Sequence, residues 1–175
     1  MAYESPDCPH HVRKVVDFLE FGRTLDSYKH VLHIAAWAKP DPEVPNFSIP
    51  VEDPKTLEGK RRLIPGAPQA FALAKDVYIP DTSKIAEHAD PDLHPNVLAK
   101  MKDYFANKSF RSFLSLVLQV QGQPVGVLNI QCSETNLFGQ DGSDMETVLK
   151  GIRHYRDCLE YILGGQRELV KTAAE

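Results

Sequence analysis

Residues 115–132, SLVLQVQGQPVGVLNIQC, constrain the fold more than any other stretch of the chain. Two runs rich in Val, Leu and Ile flank a Gly/Pro turn, which is how a β-hairpin reads in sequence. A turn at Gly122 and Gln123 sets Val120 against Val125, Leu118 against Val127 and Leu116 against Asn129, with Val117 against Leu128 and Ser115 against Ile130 on the other side. Both faces are then largely apolar. A hairpin wet on one side alternates apolar with polar residues, so Leu114 through Ile130 are expected to be interior ribs of a sheet shielded on both sides. The stretch carries almost nothing that does chemistry, which points to a sensor rather than an enzyme. An edge position with a flank open to solvent would remove the ground for that reading.

The hairpin sits in a chain of 175 residues, enough for one domain with a core that needs neither disulfides nor metal. Its 42% hydrophobic and 25% charged content is that of a soluble globule. Twenty Lys and Arg against 24 Asp and Glu, a net charge of -4, leave no electrostatic footprint for nucleic acid or an anionic membrane. The basic cluster Lys60, Arg61 and Arg62 reads as a solvated loop. Cys8, Cys132 and Cys158 form no CxxC pair and follow no signal peptide, so a cytoplasmic, reducing location is expected. No apolar run reaches the roughly 18 residues that span a bilayer.

Val12, Val15, Val16 and Leu19 fall at helical spacing and predict a first helix, capped by Ser5 with Pro6 or by Asp7 and weakened at Gly22. HVLHIAAWA, residues 30–38, reads as a strand, with a continued helix as the alternative. Pro40, Pro42, Pro45, Pro50 and Pro54 exclude a helix from the next segment and leave room for one short edge strand over Phe47 to Val51. In LIPGAPQAFALAKDVYIPDTS, residues 63–83, Pro68 opens a short Ala-rich helix ending near Lys75. Val77, Tyr78 and Ile79 form a strand stopped by Pro80, and Asp81, Thr82 and Ser83 form the turn after it. Val97, Leu98, Met101, Tyr104 and Phe105 predict a helix from Pro95 to Phe105 whose aromatic end can cover a cavity. The last helix starts at a capping box of Ser143 and Glu146. It carries one stripe through Met145, Val148, Leu149, Ile152, Tyr155, Leu159, Ile162 and Leu163, and ends at Gly164 and Gly165. One domain over residues 1–165 with a flexible tail over 166–175 follows.

This order of elements, with GAPQAFALAKDVYIPDTS and FRSFLSLVLQVQGQPVGVLNIQ as its clearest segments and Phe138, Asp144 and a long helix at its end, resembles the GAF domain family, small-ligand sensors related to PAS domains. The resemblance covers residues 63–163, with only the order of elements agreeing before that. It implies an α+β, profilin-like fold: one antiparallel sheet of five or six strands, N- and C-terminal helices on one face, and a pocket under loops and short helices on the other. It also implies signalling through the terminal helices to a partner protein or to a second copy in a homodimer. The subfamily chemistries fit poorly. Where cyclic-nucleotide-binding members carry an Asn-Lys-x-Phe-type motif, this chain has Cys132, Ser133, Glu134, Thr135 and Asn136. Residues 76–112 hold no cysteine for methionine sulfoxide reduction or bilin attachment.

A ligand pocket needs apolar walls and a few oriented polar groups. Trp37, Tyr78, Phe105, Phe110 and Phe113 are the candidates for the walls, and Asp81, Thr82, Arg111 and Ser112 for the polar tips; the same aromatics also suit a core. Backbone N–H groups of the helix near Pro68 could face an anion. The ligand is not named by any motif and no cofactor is indicated. His30 and His33 share a face only on a helix, and Cys8, His10 and His11 lack a distant matching pair, so no metal site is nominated. There is no GxSxG, P-loop, GxGxxG or HExxH. The alternatives are an enzyme acting through Cys132 or Asp81, and an interaction module whose pocket is filled by side chains.

Overall fold

The computed structural model describes residues 1–35, 46–53, 62–139 and 144–172, with residues 166–172 as backbone only. Trp37, Ser143 and the Lys60–Arg61 part of the basic cluster therefore lie outside the described residues.

Among the described residues six strands form two separate antiparallel sheets, not the single five- or six-stranded GAF-like sheet expected. In the first, β2 (His30–His33) lies between β1 (Ala2–Glu4) and β3 (Ser48–Val51). In the second, β5 (Ser112–Val120) lies between β4 (Val77–Ile79) and β6 (Gln123–Cys132). A strand has two edges, and both edges of β2 are occupied, so β2 cannot also pair with β6. The two sheets could join only through an edge strand, and no such pair forms among the described residues.

The N-terminal helix is a second correction. Helix α1 (His10–Arg13) is a single turn that starts after Pro9 with no side-chain cap, so neither Ser5 nor Asp7 caps it. Beyond it the chain runs along β3. Ser48 N–H donates to the Val15 carbonyl at 3.1 Å, and Asp17 N–H donates to the Ser48 carbonyl at 2.9 Å. Val15 and Val16 are β-branched and suit this extended path, which withdraws them from the expected helical stripe. A dimer bundle of two terminal helices therefore lacks its first member.

The middle of the chain follows its local signals. Helix α2 (Ala67–Leu73) has Pro in its first turn and ends at Ala74 in the left-handed conformation. Gly66 precedes it at φ +90°, and a Cβ there would meet Phe113 Cε2 at 2.7 Å, so both conformation and space call for glycine. The helix packs on β3, β5 and β6 and so bridges the two sheets. Helix α3 (Pro95–Ala106) buries Val97 and Met101 against Ile79, Ile85 and Phe113.

The hairpin forms one residue out of the expected register. Gln121 and Gly122 make the turn, both with positive φ, as a tight type I′ turn demands. An irregularity between Leu118 and Gln119 leaves Val125 as the extra residue. Leu114 then faces Ile130 and Leu116 faces Leu128, while Val117 faces Val127, Ser115 faces Asn129 and Phe113 faces Gln131. Only half of the pair is interior. β5 is buried on both faces from Ser112 to Leu118, but β6 is an edge strand with Asn129 exposed.

Helix α4 (Met145–Thr172) covers one face of the second sheet. Met145, Val148, Leu149 and Ile152 pack on Leu114, Leu116 and Phe138. Tyr155 and Ile162, expected in that stripe, are 70% and 53% exposed. The helix also runs through Gly164 and Gly165 instead of ending there. A Cβ at Gly164 would lie 3.3 Å from Val120 Cγ1, so this glycine serves close approach to β5.

Candidate functional site

Between the two sheets lies a cleft of about 1150 Å³. Its floor is the open edge of β6, and its opposite wall is sheet residues Leu32, His33 and Ile49. The end of α3 and the loop after it contribute Tyr104, Phe105, Lys108 and Phe110, while α4 contributes Leu159, Ile162 and Leu163. Two aromatic stacks stiffen one end: Phe105 on Phe113 with centroids 5.5 Å apart, and Phe47 on Tyr104 at 5.6 Å. Burial pushes the Tyr104 phenol above its ordinary pKa, so it stays neutral at physiological pH.

The polar groups of the cleft come mostly from β6. Alternation puts Asn129 and Gln131 on the sheet face opposite α4, and Ser115 Oγ donates to Asn129 Oδ1 at 2.7 Å, which orients that amide. Val117 and Gln119 send their N–H groups away from β6, so it is the even-numbered residues of β5 that bond to it. With the register as given, the main-chain groups of Val127, Asn129 and Gln131 then point out of the sheet at its open edge. Lys108 Nζ sits 4.5 Å from the Tyr104 ring centroid, a cation–π contact at the cleft mouth. Across the cleft, His33 Nδ1 and Ser48 Oγ are 2.9 Å apart. Desolvation, with His11 as a second cause, holds the His33 imidazole below its ordinary pKa.

Of the residues nominated from sequence, the structure gathers Phe105, Phe110 and Phe113 at the cleft. Tyr78 lies under α4 instead, in edge contact with Phe138, and its hydroxyl accepts the Phe138 N–H at 3.2 Å. Asp81 Oδ1 accepts both the N–H and the hydroxyl of Ser83, capping the 3-10 turn Thr82–His88; those bonds, the hydroxyl's first, lower its pKa. Thr82 is buried and its hydroxyl faces the Phe110 carbonyl at 3.4 Å. Arg111 is exposed and donates its backbone N–H to the Cys132 carbonyl; Ser112 Oγ donates to the Glu134 carbonyl at 2.6 Å. These polar tips thus bind the strand ends together rather than converge on a cavity.

Cys132 does line the cleft, and its Sγ accepts the Glu134 N–H at 3.4 Å. Among the described residues no titratable side chain is hydrogen-bonded to that sulfur, so nothing nominates a base for it. Among the described residues no group of three His, Cys, Asp or Glu side chains could hold a metal, and no helix is long and apolar enough to cross a membrane. The sequence reading passed over Lys108, Asn129, Gln131, Leu159 and Leu163. A usable signal existed for two of them: Asn129 and Gln131 interrupt an otherwise apolar strand with amides.

A second polar cluster lies where α4 meets β5. β4 pairs with β5 only at residues 113–115, which leaves the rest of that edge open. Asp76 Oδ1 accepts the Val117 N–H at 3.0 Å, Glu160 Oε1 accepts the Gln119 N–H at 2.8 Å, and Arg156 Nη2 donates to the Val117 carbonyl at 2.6 Å. Arg156 also pairs with Asp76 at 3.2 Å and Glu160 at 3.3 Å. Side chains here do what a neighbouring strand would do, and they set the position of α4 along the sheet.

No protein-family model matches the chain, and no curated protein matches it.

Proposed function

We propose that this protein is a binding module that takes a small molecule into the cleft between its two sheets, a reading that stands on the cleft alone and not on the sensor expectation, which the edge position of β6 leaves without its ground. The single observation that carries the reading is the cleft itself, about 1150 Å³, somewhat larger than the roughly 300–1,000 Å³ usual for ligand sites and walled by aromatic and aliphatic side chains with the oriented amide of Asn129 among them. Leu159, Ile162 and Leu163 place α4 in the wall, so a ligand that fills the cleft touches this helix directly. The single sheet and the two-helix relay that the GAF resemblance implied are both absent among the described residues, since the strands divide into two sheets and α1 is one turn, so the resemblance adds nothing to this reading.

The test is titration with a neutral, environment-sensitive apolar fluorophore. The intact chain should bind it with one-to-one stoichiometry and gain thermal stability by mass action. Ser109→Trp, at an exposed position on the rim, should reduce binding at least tenfold while leaving the melting temperature of the free protein unchanged. Equal binding to the Trp variant would remove the cleft as the site.

A further inference from the structure

We infer that the ligand of the cleft is a short extended peptide, which lies along the open edge of β6 as one more strand of that sheet. This rests on the cleft being a ligand site, and adds the chemical class that the site selects.

The bare edge is the first ground. An open sheet edge is a row of unpaired donors and acceptors, and folded chains cover it in one way or another. This protein covers one such edge and not the other. Where β4 stops short along β5, Asp76 and Glu160 accept the Val117 and Gln119 N–H groups and Arg156 donates to the Val117 carbonyl. Along β6, the outward main-chain groups of Val127, Asn129 and Gln131 find no hydrogen-bond partner among the described residues, and they line the cleft. They recur every second residue, at about 7 Å. A ligand that satisfies all of them presents donors and acceptors in alternation at that repeat, which is the main chain of an extended peptide.

The walls are the second ground. Side chains of an added strand alternate between the two faces of the sheet. Those on the α4 side meet Leu159 and Leu163, and those on the other side meet Phe105, Phe113 and the Asn129 amide. At one end a Cβ on Gly126 would lie 3.7 Å from Met1 Cα, so Met1 closes the track there. The open run from Val127 to Gln131 is about 17 Å long and takes a peptide of about five residues. The Met1 ammonium, which donates to the His33 carbonyl at 2.9 Å, and Lys108 both stand on the lining, and no carboxylate among the described residues joins them. A basic peptide would meet like charge there, so the fitting probe is uncharged.

The experiment measures binding of acetyl-Thr-Val-Thr-Val-Thr-amide to the intact chain by calorimetry, and its displacement of the neutral fluorophore. The peptide should bind one to one. Of its amide N–H groups, only one alternate set faces β6. N-methylation of that set, at either its first, third and fifth residues or its second and fourth, should weaken binding by about tenfold or more, and methylation of the other set by less than about threefold. Asn129→Pro removes an outward N–H without touching the bonds to β5. It should bind the peptide about fivefold more weakly than Asn129→Ala, which keeps that N–H, while the two variants hold the fluorophore equally. The methylated peptides read the unaltered chain and decide the matter by themselves should Asn129→Pro not fold. Equal losses from both methylated sets, a folded Asn129→Pro that binds the peptide as tightly as Asn129→Ala, or a dimer that excludes the peptide from the edge overturns the proposal. A fluorophore that binds but yields to no peptide sinks the ligand class and leaves the cleft standing; if neither binds, both fall.

Discussion

The two sheets of this protein have the same number of strands and the same antiparallel sense, but they differ in how much apolar surface they bury and in how many ion pairs flank them. The β4–β5–β6 sheet contains long strands, and its central strand is buried on both faces under α4 on one side and α2 and α3 on the other. The β1–β2–β3 sheet has strands of three or four residues, buries Val31, Leu32 and Val51 in two small apolar clusters, and is flanked by ion pairs in the adjoining segments. Arg23 pairs with Glu52 and Glu20, and its guanidinium lies 4.1 Å from the Tyr28 ring centroid. Arg13 pairs with Asp26 and Lys29 with Asp53. Long apolar strands gain enough from burial to specify their own pairing; the short ones bury less and add ion pairs in the flanking segments to that smaller apolar gain. The cleft lies where the two modes of construction meet.

That contrast can be broken by substitution. The largest effect is expected for Leu114→Ala at the centre of the second sheet, where the side chain is fully buried against Phe138. A cost of about 3 kcal/mol is expected in urea unfolding, with hydrogen exchange accelerated first in β5 and β6. Next is Arg23→Gln, which leaves Glu52, only 8% exposed, without its main partner. It should cost about 2 kcal/mol and speed amide exchange in His30–His33 and Ser48–Val51 while sparing β5. If Arg23→Gln loosened β5 as much as β2, the two sheets would be one cooperative unit and the comparison would fail.

Smaller effects sharpen it. Gly66→Ala acts at the α2 bridge between the sheets, where the added methyl strikes the Phe113 ring in a strained backbone conformation. About 1.5 kcal/mol is expected, read as a drop in melting temperature, with the Phe105–Phe113 stack disturbed. Arg156→Gln removes the link between Asp76, Glu160 and the Val117 carbonyl on a partly exposed surface. About 1 kcal/mol is expected, and a double-mutant cycle with Asp76→Asn should show coupling, since the two side chains serve the same edge. The smallest effect is in pH dependence. The folded pKa of His33 lies below its unfolded value of about 6.5, so the folded state binds fewer protons in that window. Stability should be complete above the unfolded value and fall as pH drops through the window toward the folded one. His33→Gln should flatten the melting temperature between pH 7 and pH 5.

Much of the second sheet was legible in the residues because its signals are local. Pro68 opens α2, Pro80 stops β4, and Pro95 begins α3, each through a fixed φ and a missing N–H. The hairpin was legible as a hairpin but misread by one residue. Gln121 adopts positive φ without being Gly or Asn, and Val125 becomes the extra residue of a bulge that no composition signal marks. The first sheet was far less legible. Val12, Val15 and Val16 keep helical spacing, yet the last two bind β3 through their backbone or its bridge. Of the candidate site, the aromatics at 105, 110 and 113 were visible as apolar bulk. Lys108 and the α4 leucines were not, because their share in the cleft depends on where one element lies against another.

Sequence by itself determined an α+β chain with an apolar hairpin, Pro-bounded short elements and a long amphipathic C-terminal helix, because propensity, capping and periodicity act within a few residues. Tertiary structure alone decided that the strands divide into two sheets, that β6 stands at an edge, and that a cleft opens beside it. Those outcomes depend on which strand occupies each edge of β2 and β5, a competition between segments far apart in the chain that no local pattern records.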